Sequence, residues 1–159
     1  MNPVTLLDLF ADSLRFLREA LADIPDARAA EQRAGAVNHP AWTMMHVCVA
    51  NDFLLHLLGH ERLCPADWAA LAAPGSTPRP DRAAYPPLAA MLDVLTRQHE
   101  RIDAAVRAAG PEVFAADPPE SIRAFAPTIG HMAAYMLVAH ENYHLAQIAV
   151  WKRVVGLAS

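Results

Sequence analysis

The sequence predicts an all-α fold built on four long helices. Four segments repeat apolar residues every three or four positions, no segment reads as a strand, and proline or glycine marks the segment ends. With 159 residues, 54% apolar and 19% charged, the chain is expected to form one folded domain over residues 1–159. It shows no internal repeat and no composition shift that marks a second domain.

The first helix is expected over 3–22, with Asn2 as N-cap and Pro3 in the first turn. Its stripe is Leu7, Phe10, Leu14, Leu17 and Leu21, and Pro25 stops it. The second, over 40–58, opens at Pro40 with Asn38 or His39 available to cap. It carries Trp42, Met45, His46, Val49, Phe53 and Leu57 before Gly59. The third, over 87–109, follows Pro86-Pro87 with Leu88, Leu92, Leu95, His99, Ile102 and Val106. The fourth, over 127–155, runs through Ala133, Leu137, His140, His144, Ile148 and Trp151 to Gly156. Residues 59–86 form a long connection rich in proline and small residues, with one helical turn expected near Ala66 to Leu71. A loop of this length crosses a bundle or covers a site.

Charge and composition exclude several functions. A net charge of −4 without a basic block offers no footprint for nucleic acid. No apolar run approaches the roughly 20 residues that span a bilayer, and the N-terminus lacks the basic region of a signal peptide. Cys48 and Cys64 have no CxxC spacing. A cytoplasmic protein with both thiols reduced is the expectation.

The chemistry concentrates in His140-Glu141-Asn142-Tyr143-His144. Positions i and i+4 of a helix share one face, roughly 6 Å apart, so both imidazoles can reach one metal ion. Three architectures fit the string. A zinc protease of HExxH type needs a further ligand, usually downstream, yet no His, Asp or Glu follows His144, and Gln147 stands where the longer motif has Gly. A di-iron bundle needs a second ExxH, and no other glutamate has a histidine three residues later. The third takes one histidine from a facing helix. His46 interrupts the second helix's apolar stripe, and with His140 and His144 it makes a compact set that leaves metal positions open.

Two longer motifs carry a resemblance. They are Asn38-His39-Pro40-Ala41-Trp42-Thr43-Met44-Met45-His46 and His140-Glu141-Asn142-Tyr143-His144-Leu145-Ala146-Gln147-Ile148, the second followed by Arg153-Val154-Val155-Gly156. With Tyr85-Pro86-Pro87-Leu88 ahead of the third helix, the chain resembles the DinB-like superfamily of metalloenzymes over nearly its whole length. The resemblance implies a four-helix bundle of up-down-down-up topology, with 59–86 as the crossover between helices two and three. It implies a metal triad on His46, His140 and His144 holding zinc, nickel or iron. It also implies a small-molecule substrate, with a low-molecular-weight thiol as cosubstrate in the thiol S-transferases of the family, and a homodimer. The Trp42–His46 spacing is similar to the N-terminal domain of ergothioneine-pathway sulfoxide synthases, whose second large domain has no counterpart here.

Other residues near the motifs carry weaker expectations. His99 is expected to be structural, bonded in the core or at its edge, although it can also reach a metal or act as a base. Glu141 lies 100° around from His140 and is expected to be an interhelical or surface charge; orienting a ligand or serving as base are its functional alternatives. His131, nine residues before His140, points away. His39, His56 and His60 take capping or solvated roles. Trp42 and Tyr143 are expected to pack, and Cys48 points away from the ligand set.

A divalent ion on three neutral imidazoles keeps its full charge and favours an anionic fourth ligand, thiolate or hydroxide. Thiol transfer or hydrolysis is the enzymatic expectation. The competing one is a non-enzymatic stress-related or binding bundle whose metal site is structural or vacant.

Overall fold

The computed structural model describes residues 3–34 and 38–157, and its regular structure is helical throughout. The N-cap expected at Asn2 lies outside the described residues. A 3₁₀ turn, Pro3–Leu6, leads into α1, Leu7–Leu21. The expected start at residue 3 is therefore a tighter turn first, a common way for a helix to begin. α2 is Pro40–Leu57, α3 is Trp68–Ala72 and α4 is Leu88–Ala108. Two short helices follow, α5 at Pro111–Ala115 and α6 at Glu120–Arg123. The last long segment is three pieces in series: α7 at Ile129–Tyr135, a π turn at Met136–His140, and α8 at Glu141–Val154. Among the described residues, no helix is long and apolar enough to cross a membrane.

The caps follow side-chain chemistry. His39 caps α2, its Nδ1 accepting from the Trp42 N–H at 3.2 Å, while its Nε2 bonds the Arg79 carbonyl at 2.8 Å. The capping role expected of His39 is thus filled by a fully buried ring. Thr128 caps α7 through the His131 N–H. Pro40 sits in the first turn of α2, where its missing N–H costs nothing.

α1 and α2 each pack against both α4 and α8. The apolar core divides into two clusters. One holds Leu17 and Leu21, Trp42 to Cys48, Met91 to Leu95, Ile148 and Trp151. The other holds Leu7 and Phe10, Leu54 and Leu55, Ile102 and Val106, and Met132 to Leu137. Between them every long helix contributes buried polar residues: Ser13 on α1, Asn51 and Asp52 on α2, Gln98 and His99 on α4, and His140, Glu141 and His144 on the last. Buried polar groups need partners, so this layer is where specific bonding must replace apolar packing.

The connection between α2 and α4 is structured. Trp68 and Ala72 of α3 are buried in the first cluster. Arg82 ties the end of the connection to Asp26 at 2.7 Å, and Asp26 also accepts from the Leu88 N–H at the start of α4. The beginning of the connection is bonded to Asp52 through Leu63 and Cys64, and its middle lies over the half of α2 that carries Trp42 and His46, bonded to them through Ser76 and Ala72.

Candidate metal centre

A π turn at Met136–His140, one residue longer than an α turn, interrupts the last segment just before the site. The buried face through Ala133 and Leu137 continues across it to His140, Glu141, His144, Ile148 and Trp151, while Tyr143 is left 61% exposed. The consecutive His140 and Glu141 both point into the bundle, and His144 follows His140 one turn on.

His46, His140 and His144 come together. Each offers a ring nitrogen within 4.8 Å of the others'. Ring centroids are 5.3 Å apart for His46 and His140, 4.7 Å for His46 and His144, and 4.6 Å for His140 and His144. All three rings are buried. Bonds of about 2.1 Å in tetrahedral geometry need nitrogens about 3.4 Å apart, a spacing that small side-chain rotations can reach.

The surroundings fix the rings. His46 Nδ1 donates to the Ala72 carbonyl at 2.7 Å, and a carbonyl only accepts, so the proton is on Nδ1 and the Nε2 lone pair is free. Trp42 stacks on the same ring at 4.8 Å and 7°, and its own Nε1 is held by Ser76 Oγ at 3.0 Å. The long connection thus orients His46 directly through Ala72 and indirectly through Ser76. His144 Nδ1 pairs with Gln147 Oε1 at 2.9 Å, and Asn38 Nδ2 donates to the same oxygen at 3.0 Å. This is the support that metal-binding imidazoles ordinarily receive.

His140 has no such support. Its Nδ1 is buried without a hydrogen-bond partner. An unmet buried group of this kind costs about 1–3 kcal/mol, which a ligand at the ring can return. Burial, then the neighbouring His144 and His46, pull its pKa down to about 3. Burial and His46 pull His144 down to about 4, against the Gln147 bond. Burial lowers His46 too, against its bond to Ala72. The three rings are therefore neutral near pH 7, the state in which imidazole binds metal. Donor type, number, neutrality and an unmet nitrogen all fit a divalent cation.

Glu141 and His99 belong to a different cluster. Glu141 is 1% exposed, so of the two expectations the surface charge is corrected and the interhelical charge is the one observed. Its carboxylate accepts from Ser13 Oγ, from Asn51 Nδ2 at 2.8 Å, and from His99 Nε2 at 2.9 and 3.1 Å. His99 stacks on Phe10 at 3.7 Å and 6°. His99 is thus a bonded core residue, and neither it nor Glu141 orients a triad imidazole. His131, His56 and His60 are exposed, and Cys48 bonds the Met91 carbonyl at 3.5 Å, away from the triad. Burial and the nearby Cys64 push the Cys48 thiol well up.

The triad lines a cavity of about 780 Å³. Its walls are largely apolar, with Trp42, Phe53, Phe125, Met132, Tyr135 and Met136 prominent. Sequence reasoning did not single out Gln147, although it follows His144 by one helical turn. It also missed Phe125 and Ile122, which lie in the connection ahead of α7.

A model of the DinB superfamily matches residues 9–148. No curated protein matches the chain.

Proposed function

The chain belongs to the DinB superfamily, and from that premise we propose a metal-dependent enzyme whose centre is His46, His140 and His144, acting on a small molecule in the adjoining cavity. The convergence of three buried, neutral imidazoles on the wall of a ligand-sized cavity carries this reading. Zinc, nickel or iron bound there supplies Lewis acidity that lowers the pKa of a thiol or a water.

The chain's own residues do the rest. Ala72 and Gln147 hold two imidazoles with Nδ1 engaged and Nε2 presented. Trp42 closes one side of His46, and the apolar walls limit water around the reacting groups. Among the described residues no carboxylate bonds to the triad, since Glu141 is spent on Ser13, Asn51 and His99. That favours a nucleophile ionised by the ion over one deprotonated by a protein base, a condition that a thiol and a water both meet. Of the two, a low-molecular-weight thiol whose sulfur displaces the leaving group of an electrophile is the reading proposed.

The up-down-down-up order of helices is part of the same proposal. It is supported by the core, since α1 and the α7–α8 segment run from the second apolar cluster to the first while α2 and α4 run the opposite way. A homodimer in the cytoplasm completes the reading.

The test is thiol consumption. Chelator-treated protein is reloaded with zinc, nickel or iron and incubated with a panel of low-molecular-weight thiols and a model electrophile. Metal-dependent S-alkylation that His140→Ala abolishes supports thiol transfer. Metal-dependent ester hydrolysis without thiol turnover would shift the reaction to water. Inactivity with a tightly held ion would favour the binding bundle.

A further inference from the structure

The cavity beside the triad has one charged feature that the triad chemistry leaves unused. Among its lining residues, Arg62 is the one arginine or lysine. Among the described residues no hydrogen bond or ion pair engages its guanidinium, a state it shares with the exposed Arg97, Arg101 and Arg153; what sets it apart is its place on the cavity wall. An unpaired guanidinium at a cavity wall is a ready partner for an anionic group.

Its position is built. Asp52, buried on α2, accepts from the N–H groups of Leu63 at 2.9 Å and Cys64 at 2.7 Å, the two residues that follow Arg62. Gln98 donates to the same carboxylate at 2.6 Å. Asp52 thus clamps the backbone beside Arg62 against the bundle, and both its oxygens are occupied by donors, which weakens its opposition to an incoming anion. The rest of the lining is largely apolar and aromatic, and of it Phe125 stays 62% exposed and Tyr143 61% exposed. Large aromatics left in water beside a cavity mark a ligand surface.

We propose that the cavity's organic ligand is an amphipathic anion, its apolar body lying against Trp42, Phe53, Phe125 and Met136 and its anionic group paired with Arg62. This rests on the reading of the cavity as the triad's substrate pocket. In the metal-free protein the rings of His46 and His144 present lone pairs, which do not attract an anion, so Arg62 supplies the preference there. A volume of about 780 Å³ holds one molecule of drug-like size.

Chelator-treated protein titrated calorimetrically with octanoate, 1-octanol and octylamine tests this. Octanoate should bind about three- to tenfold more tightly than 1-octanol, and octylamine most weakly. Arg62→Ala, a change at an exposed side chain, should bring octanoate to the level of 1-octanol. Phe125→Ser should weaken octanoate and 1-octanol together. Equal binding of the three probes, no binding of any, or a preference for octanoate that survives Arg62→Ala would overturn the proposal. Because no metal is present, failure of the protein to take up zinc leaves these outcomes unchanged and is scored separately.

Discussion

Replacing Glu141 with alanine should destabilise the fold severely while leaving the triad's imidazoles in place. The carboxylate is buried and accepts from three side chains on three other helices, Ser13 on α1, Asn51 on α2 and His99 on α4. Alanine leaves the Asn51 and His99 donors unmet in the core, while Ser13 Oγ keeps the Phe10 carbonyl at 2.7 Å. Each unmet donor costs about 1–3 kcal/mol, so simple addition reaches about 2–6 kcal/mol. Relaxation and entering water reduce that, and removal of one partner from a buried charged network typically costs about 3–5 kcal/mol. Against a typical domain stability of about 5–15 kcal/mol, the loss is large. Glu141→Gln keeps an acceptor oxygen for Asn51 and His99 and should cost about 1–2 kcal/mol. Urea unfolding followed by circular dichroism measures both. An alanine variant within about 0.5 kcal/mol of the parent would mean the carboxylate is solvated, and the buried polar layer would be wrong. Zinc affinity separates structure from site: Glu141→Gln should bind as the parent does, and its losing zinc with the fold intact would place Glu141 in the metal centre.

Two further outcomes follow from the site's surroundings. Gln147→Ala removes the acceptor from His144 Nδ1 and should weaken zinc binding about 10–100-fold with little change in helicity, read by competition with a chelating dye. The metal-free protein should weaken as pH falls. His140 and His144 have folded-state pKa values of about 3 and about 4 against 6.5 for the free imidazole, so the unfolded chain binds more protons than the folded one across that window. Their stabilising contribution is complete above about pH 6.5 and is lost as pH drops through about 4 and then about 3, each imidazole costing up to about 1.4 kcal/mol per pH unit. Urea midpoints between pH 7 and 4 measure the slope, which His140→Ala should flatten; an equal slope would mean the rings are already solvated.

The helices and the triad were legible in sequence because both are periodic. Apolar repeats mark helix faces, two histidines four apart share one, and His46 stands where the pattern asks for an apolar side chain. The lead from Pro40 and the position of His39 gave the start of α2 for the same local reason. The π turn was not legible, since a single extra residue in one turn leaves the stripe through Leu137, His140 and His144 readable as ordinary helix. Nor was the buried role of Glu141. Its partners stand 128, 90 and 42 residues away in the chain, at Ser13, Asn51 and His99, and nothing local distinguishes a glutamate bonded across a bundle from one in solvent. Leu14 packs against the first cluster as its stripe predicts, but the fully buried Ser13 beside it was not legible, since a serine next to an apolar stripe gives no local sign of a distant carboxylate partner. The cavity walls come partly from Ile122 and Phe125, in a connection whose periodicity is too short to assign a face.

Zinc titration of chelator-treated protein by calorimetry tests the metal centre most directly. The parent and His131→Ala, whose altered ring is exposed and faces away, should each take up one ion per chain. His46→Ala, His140→Ala and His144→Ala should each lose that binding while keeping their helical spectrum. Tight binding that survives the three alanine replacements together, or a parent that takes up no zinc, nickel or iron, would contradict it.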